Sequence, residues 1–265
     1  MRSESSDFPR IDPWYAAIFV RRSRRSYLTE TISAEALECL GSVCREFRPF
    51  SEARAVLIQA QGESVFKGIV GSYGKIDNNP WYIAFIGNMA SARVQEAVGY
   101  TGEGIILEAT SLGLGTCWVG GYFRPEAVAQ RMSLGIHERV LAVTPVGIAS
   151  DGFTFKEKLM SGFGRMHRRK PLQQLVTGIP EEDWMTTALE AARVAPSAVN
   201  RQPWRFEISG RSICIALDES RDTFHVARRL DCGIAMLHLE LGAGHAGASV
   251  QWSFPAGSVA CLSAS

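Results

Sequence analysis

The decapeptide APSAVNRQPW, from Ala195 to Trp204, joins a run of helical periodicity to a run of strand-like residues. Pro196 is expected to end the helix, because the residue before a proline is disfavoured in the α conformation. Ser197 and Asn200 have short polar side chains of the kind that bond backbone or ligand atoms in irregular loops. Two interpretations stay open: an ordinary helix-to-strand connection, or a loop that presents polar groups to a flat ligand at the edge of a sheet.

An earlier loop and strand look like a copy of this one. The residues NPW, 79–81, precede the strand-like run YIAFIG, and Trp81 and Trp204 are 123 positions apart (204 − 81). The pattern G-I-(x)6-L-G-x-G begins at Gly104 and again at Gly233, 129 positions apart (233 − 104). Both copies lie in long apolar segments that end at glycine, as helices commonly do, and a strand follows each. The recurrence predicts a duplicated α+β unit.

Each of the two long helices is expected to be apolar on more than one face, which is typical of buried helices. Two such helices can bury against each other, as they do at the centre of a symmetric dimer. We therefore expect an α+β fold of two pseudo-symmetric halves, residues 1–178 and 179–265, that form an intramolecular pseudo-dimer. An interface of this kind within one chain is compatible with a monomer.

Length and charge exclude several classes of protein. The chain has 265 residues, with 28 Lys and Arg against 27 Asp and Glu, so a nucleic-acid footprint is not expected. No apolar run approaches the ~20 residues needed to cross a bilayer. The first residues, MRSESSDFPR, lack the apolar core of a signal peptide. We expect a cytoplasmic protein that acts on a small molecule, without a membrane or nucleic-acid partner.

The six cysteines, at positions 39, 44, 117, 214, 232 and 261, are scattered and form no C-x-x-C pair. Free cysteine in apolar segments behaves as a small hydrophobic residue. We therefore expect all six to be reduced and structural. No Cys and His cluster has the spacing of zinc ligands, so no metal site is expected.

Three further segments have residues suited to a ligand. RRSRRSY, 21–27, is either a solvated basic turn or an anion site, since guanidinium groups match phosphate geometry. TCWVGG, 116–121, contains two glycines, at which the backbone can approach a flat ligand closely. RMHRRK, 165–170, is either an exposed tail or a partner of the first basic run. Together with APSAVN, these features are divided between the two halves and make one complete set.

The combination of RRSRRSY, GLGTCWVGG after a buried helix, and APSAVNRQPW resembles the nitroreductase-like flavoproteins. The order of the motifs is that of a branch in which two halves are fused in one chain, and the resemblance covers residues 12–254. It implies the nitroreductase-like fold, with FMN held between the halves as the family holds it between two subunits. A single complete set of motifs implies one FMN per chain.

The resemblance also implies which residues bind the cofactor. In the family the arginine motif grips the ribityl phosphate and pyrimidine edge, the serine-asparagine loop comes from the opposite subunit, and the glycine-rich strand lies along the ring. A basic pair holds the phosphate; Arg169 is a further candidate for this pair. The Gly120 backbone is expected near flavin N5, and Arg25 near N1 and O2. The implied set is Arg21, Arg22, Ser23, Arg25, Cys117, Trp118, Val119, Gly120, Gly121, Arg168, Lys170, Pro196, Ser197, Ala198 and Asn200.

The activity implied is that of an oxidoreductase that passes electrons from NAD(P)H through FMN to a small acceptor, such as a nitro compound or a quinone. No side chain is a clear general acid, and the five histidines match no position of the family. The alternative is a non-catalytic protein on the same fold that binds flavin or another small ligand.

Overall fold

The computed structural model describes residues 8–59, 65–66, 76, 81–149, 168–222 and 225–265. The helices are α1 (Ile11–Val20), α2 (Ala34–Glu46), α3 (Val94–Ser111), α4 (Pro125–Ala129), α5 (Asp183–Arg193) and α6 (Arg228–His245), with short 3-10 turns at Leu172–Gln174 and Ala198–Asn200. The strands are β1 (Ala53–Gln59), β2 (Trp81–Asn88), β3 (Gly115–Thr116), β4 (Glu138–Gly147), β5 (Val176–Thr177), β6 (Trp204–Ser209), β7 (Ser212–Leu217), β8 (Val250–Ser253) and β9 (Ala260–Ala264).

The order of the strands repeats between two sheets. The first sheet runs β1-β2-β4-β3, and the second runs β5-β6-β7-β9-β8. Without β5, each sheet is a four-stranded antiparallel unit of the same order, with a long helix inserted between its second and third strands. The α+β fold and the nitroreductase-like arrangement of two halves are as expected from the sequence.

β5 crosses from one half to the other. It follows the first sheet in the chain, yet Val176 and Thr177 pair in parallel with Phe206 and Glu207 of β6. A division of the chain after residue 178 therefore separates β5 from the sheet to which its backbone is hydrogen-bonded.

The two long helices pack backbone to backbone through equivalent glycines. A Cβ atom on Gly99 of α3 would collide with the carbonyl of Leu230, and one on Gly233 of α6 would collide with the carbonyl of Glu96. Both pairs are related by 134 positions (233 − 99 and 230 − 96). Because any other residue would force the helices apart, these two glycines set their closest approach. The contact is the centre of a pseudo-twofold arrangement.

The ends of the same helices fix the register of the repeat. Gly113 and Gly247 both have positive φ, 76° and 81°, and are also 134 positions apart (247 − 113). The residue after each glycine donates its N–H to a carbonyl five residues earlier, at 2.8 Å in the first half and 2.9 Å in the second. This is the hydrogen-bond pattern of a glycine-terminated helix.

The offset between the two copies that the sequence suggests is therefore wrong. An offset of 129 pairs Gly104 with Gly233, but Gly104 packs against Trp14 and Phe47 and has a different role. Trp81 is likewise no counterpart of Trp204, because it begins the second strand of its sheet rather than the first. The duplication holds, and its register is 134 across the long helices.

Two of the six cysteines are not free. Cys214 of β7 and Cys261 of β9 lie opposite each other in the second sheet and form a disulfide. The expectation that all six are reduced is therefore wrong for this pair. The two cysteines are 47 residues apart in the chain, and the pairing of their strands brings them together. The other four are free, and three of them are buried. Over the described ranges, no helix is long and apolar enough to cross a membrane, and no cluster of potential metal ligands occurs.

Candidate flavin site between the halves

The arginine run leaves α1 and lies against α3. Arg21 is 8% exposed, and its Nε atom is 3.7 Å from Oε1 of the buried Glu103. Ser23 forms a parallel bridge with Thr116, and the N–H of Arg24 donates to the Thr116 carbonyl at 2.8 Å. The start of the run is thereby fixed beside the strand that opens the glycine-bearing segment.

Arg169 connects this cluster to the loop of the second half. Its Nη1 donates to Oδ1 of Asn200 at 2.6 Å, and its Nε and Nη2 donate to the carbonyl of Val194 at 3.2 Å. Burial lowers the pKa of Arg169 to about 10, and the charges of Arg21 and Arg22 act in the same direction. A cation destabilised by other cations lies in a region of excess positive charge, which attracts an anion.

The second-half loop is held in a strained conformation. Val199, Asn200 and Gln202 have φ angles of 50°, 57° and 49°, in the left-handed region that favours glycine. Oγ of Ser197 accepts the Gln202 N–H at 2.9 Å, and Oε1 of Gln202 accepts the Lys170 N–H at 2.8 Å. Each left-handed residue costs on the order of 1–3 kcal/mol and persists only where its surroundings enforce it. Such enforced strain is common at ligand sites.

Asp231, buried in the first turn of α6, accepts hydrogen bonds from the loop. Its Oδ1 accepts the N–H of Ala198 at 3.1 Å, and its Oδ2 accepts from Nε of Arg201 at 2.7 Å. Nη2 of Arg201 in turn donates to the carbonyl of Val226 at 3.0 Å. Burial raises the pKa of Asp231 to about 6, although Arg201 and the Ala198 N–H oppose that rise.

The glycine-bearing segment is anchored on the opposite side. The N–H of Cys117 donates to Oγ1 of Thr144 at 3.0 Å, and Val119 exchanges two backbone hydrogen bonds of 2.9 Å with β4. Nε1 of Trp118 donates to Oε2 of Glu103 at 2.6 Å. These bonds fix the backbone up to the two glycines that follow.

The glycine-bearing segment reaches the second half at Gly120. A Cβ atom there would lie 2.8 Å from Cγ2 of Val226, just before α6. The pseudo-equivalent contact involves Phe254, 134 positions after Gly120 (254 − 120), whose ring lies 4.4 Å from Cζ of Arg93. Arg93 precedes α3 as Ala227 precedes α6, again 134 apart (227 − 93). Val226 itself corresponds to Ala92 (226 − 134), the neighbour of Arg93, so the two contacts lie one residue apart in this register.

The pseudo-equivalent place is filled by aromatic rings. Pro49 and Pro196 are each the third residue after a helix, α2 or α5 (49 − 46 and 196 − 193), so Phe50 corresponds to Ser197. The rings of Phe50 and Phe254 pack edge to face with centroids 6.1 Å apart. Where one side of the molecule has serine and glycine, the other has two phenylalanines in contact.

The residues expected to bind a cofactor lie on both halves. Gly121 continues the glycine-bearing segment, and Arg25 is half-buried within the arginine run. Arg22 is exposed, and its Nη1 donates back to the carbonyls of Phe19 and Arg21 at 2.9 and 2.8 Å. Arg21 and Ser23 lie beside the segment that contains Cys117, Trp118, Val119 and Gly120. Asn200 lies in the loop with Pro196, Ser197 and Ala198, and Arg169 links it to the charges of the arginine run.

The basic pair expected to hold a phosphate, Arg168 and Lys170, contacts the second-half loop. Nζ of Lys170 donates to the carbonyls of Arg201 and Gln202 at 3.2 and 3.1 Å, so it supports the loop rather than joining the arginines. Arg168 is exposed, and its carbonyl accepts from Nδ2 of Asn200 at 2.9 Å. Of the three basic residues, Arg169 is the one that reaches the cluster.

Three charged or polar groups of the site were not predicted from the sequence: Glu103, Asp231 and His238. Each is fully buried in a long helix that is otherwise apolar. A charged residue in such a helix is rarely buried without a partner, and this was the signal available in the sequence.

A family model described as "Putative TM nitroreductase" matches residues 14–243. The chain belongs to this nitroreductase family. A structure of a putative nitroreductase from Thermotoga maritima MSB8 shares its fold, with a TM-score of 0.63 and 20% identity over 94% of this chain and 92% of that one. No curated protein matches the chain.

Nitroreductase-family structures also match part of the chain. An FMN-dependent nitroreductase from Clostridium difficile R20291 has 17% identity over 52% of this chain and 88% of its own, with a TM-score of 0.44. A "putative NADH dehydrogenase/NAD(P)H nitroreductase" from Bacteroides thetaiotaomicron VPI-5482 has 22% identity over 54% and 90%, with a TM-score of 0.45.

Proposed function

We propose that this protein is an FMN-dependent oxidoreductase of nitroreductase type that passes electrons from NAD(P)H to a small acceptor, such as a nitro compound or a quinone. Membership of the nitroreductase family supports oxidoreductase chemistry. The observation that carries the proposal is the link between the halves through Arg169, which bonds Asn200 of the second-half loop within the field of Arg21 and Arg22.

The residues present suit FMN in charge and in shape. The excess positive charge around Arg169 would be neutralised by a phosphate dianion, since guanidinium groups pair well with phosphate oxygens. Gly120 and Gly121 remove side chains where a flat ring would lie against the backbone. Asn200 and Ser197 add polar groups at the edge of a sheet.

FMN would supply the hydride and electron transfer, while the protein binds and orients it. We assign phosphate binding to Arg21, Arg22 and Arg169, and the N1 and O2 edge of the flavin to Arg25. We assign the N5 side to the Gly120 backbone. Because the pseudo-equivalent place contains Phe50 and Phe254, we expect one FMN per chain.

Val226 suggests where an acceptor would enter. It faces Gly120 on one side, and it lines a cavity of about 290 Å³ together with Leu141, Leu230 and four other residues. The mixture of aliphatic residues with Gln95, Asp222 and His225 suits a small, partly polar acceptor.

The decisive test is the response of the purified protein to cofactor and reductant. We expect one FMN per chain to bind, and the yellow colour to bleach when NADH or NADPH is added without oxygen. Yellow protein that does not bleach would favour the non-catalytic flavin-binding alternative. Protein that takes up no FMN would overturn both.

A further inference from the structure

Glu103 is a fully buried carboxylate in the middle of α3. Its Oε2 accepts from Nε1 of Trp118 at 2.6 Å, and its Oε1 lies 3.0 Å from Nε2 of His238 and 3.7 Å from Nε of Arg21. Burying a carboxylate is costly unless several groups compensate it, so the three partners are needed for the fold to tolerate it. Two of them belong to the candidate flavin site.

His238 extends these contacts into the second half. It is fully buried in α6, and its Nδ1 lies 2.9 Å from the carbonyl of Ala191 in α5. A carbonyl can only accept, so Nδ1 carries a proton and donates it. Since α5 leads directly into the loop with Ser197 and Asn200, one line of hydrogen bonds joins the glycine-bearing segment to that helix.

We propose that Glu103 is a positioning residue, which through His238 holds Trp118 and Arg21 of the first half in register with the second-half loop. This inference rests on the proposed function, because the parts held in register are those assigned to FMN. The flavin needs both sides at once, so a loss of register weakens its binding even when each half remains folded.

The other half offers a matched control. Glu240 is buried in α6, and its Oε2 accepts from Nε1 of Trp252 at 2.6 Å and from the hydroxyl of Tyr100 at 2.7 Å. Trp252 is 134 positions after Trp118 (252 − 118). Tyr100 packs on Phe50, on the side filled by aromatic rings. Glu240 therefore makes the same indole contact on the side filled by aromatic rings.

The test compares Glu103→Met with Glu240→Met. Losing hydrogen bonds to a charged group should weaken FMN binding in Glu103→Met by about tenfold or more, while Glu240→Met stays within about threefold of the parent. Glu103→Gln should rescue binding, because its amide group can accept from Trp118 through oxygen and can bond Nε2 of His238 through its N–H. Equal losses in the two methionine variants, or no rescue by glutamine, would overturn the proposal.

A second measurement needs no flavin. Hydrogen exchange at the Ala198 and Gln202 amides, both hydrogen-bonded in the loop, should quicken in Glu103→Met and not in Glu240→Met. If the parent binds no FMN, the proposed function fails, and this exchange still decides whether Glu103 positions the loop. Should Glu103→Met not fold, His238→Met breaks the same line from the second half, with the same results expected.

Discussion

The two contacts made across the pseudo-twofold axis, Gly120 with Val226 and Phe254 with Arg93, lie at closely corresponding places, but their side chains differ in volume. The side with Gly120 has no side chain at this position and is called the open side below, and the closed side has a phenylalanine ring. Ser197 and Phe50 differ in the same sense. The proposal of one FMN per chain therefore depends on side-chain volume at a few corresponding positions of the duplicated fold.

The charges around the two places differ as well. Arg21, Arg22 and Arg169 are close enough for their charges to act on one another on the open side. On the closed side Arg93 stacks on Phe254 and pairs with Glu52 at 3.3 Å. Arg21 is also 3.7 Å from the Glu103 carboxylate, so the difference lies in the number of cations that repel one another, and the open side should attract an anion more strongly.

Gly120→Phe, which copies the closed side onto the open one, should have the largest effect. A Cβ atom at this position would lie 2.8 Å from Cγ2 of Val226, so the ring would collide with Val226 and displace the segment assigned to the flavin. FMN affinity should therefore fall by about a thousandfold or more in an equilibrium fluorescence titration. Phe254→Ala is the control, and it should leave both the affinity and the stoichiometry of FMN unchanged. If the Gly120→Phe protein binds FMN like the parent, Gly120 does not face the flavin.

The second-largest effect is expected from removing the disulfide, which should lower the free energy of unfolding. The second sheet is linked by Cys214 and Cys261, whereas the corresponding strands β2 and β4 of the first sheet contain no cysteine. Closing a loop of 47 residues is worth about 4 kcal/mol in the chain-entropy model. Replacing both cysteines by serine should lower the free energy of unfolding by up to that amount in denaturant titrations without reductant.

Cys39→Ser provides the control for that experiment, because Cys39 is a half-buried free thiol. A double serine variant that unfolds at the same denaturant concentration as the parent would mean that the two sulfurs are not bonded in solution.

Asp231 should make the stability of the protein depend on pH. Its counterpart 134 positions earlier is Ala97, which does not titrate. Burial raises the pKa of Asp231 from 3.8 to about 6, so between those values the folded protein holds a proton that the unfolded chain releases. The stability contributed by this group therefore increases as the pH falls through about 6 and is complete below about 4. The gain relative to Asp231→Asn should be on the order of 3 kcal/mol.

Chemical denaturation of the parent and of Asp231→Asn between pH 4 and 7 measures this difference. Asp183→Asn, an exposed acid in the first turn of α5, is the control. Parallel stability curves for the parent and Asp231→Asn would contradict a raised pKa in the folded state.

Arg169→Ala should have the smallest of these effects. Removing one guanidinium from the cluster should weaken FMN binding by about tenfold, since a charge-assisted hydrogen bond contributes roughly 1.5–3 kcal/mol. Added salt should weaken FMN binding less in the variant than in the parent. Arg93→Ala, the arginine of the closed side, should have neither effect, and equal losses in both variants would remove the distinction between the sides.

Elements with local signals were predictable from the sequence. Ser33 caps α2 by accepting the Ala36 N–H at 3.2 Å, and Pro196 follows soon after the end of α5. The positive φ angles of Val199, Asn200 and Gln202 were not predictable, because contacts with distant residues such as Arg169 and Asp231 enforce them. The register of the repeat was missed because glycines with two different roles look alike in a sequence.

By itself the sequence determined the α+β class, the duplicated order of elements and the short polar and basic segments. Periodicity, helix stops and glycine runs are local and need no knowledge of the fold. Only the tertiary structure decided which positions of the two halves correspond, which basic residue reaches the arginine cluster and which cysteines are joined. Those outcomes depend on distances between residues far apart in the chain, which are set by the pairing of the strands and by the packing of α3 against α6.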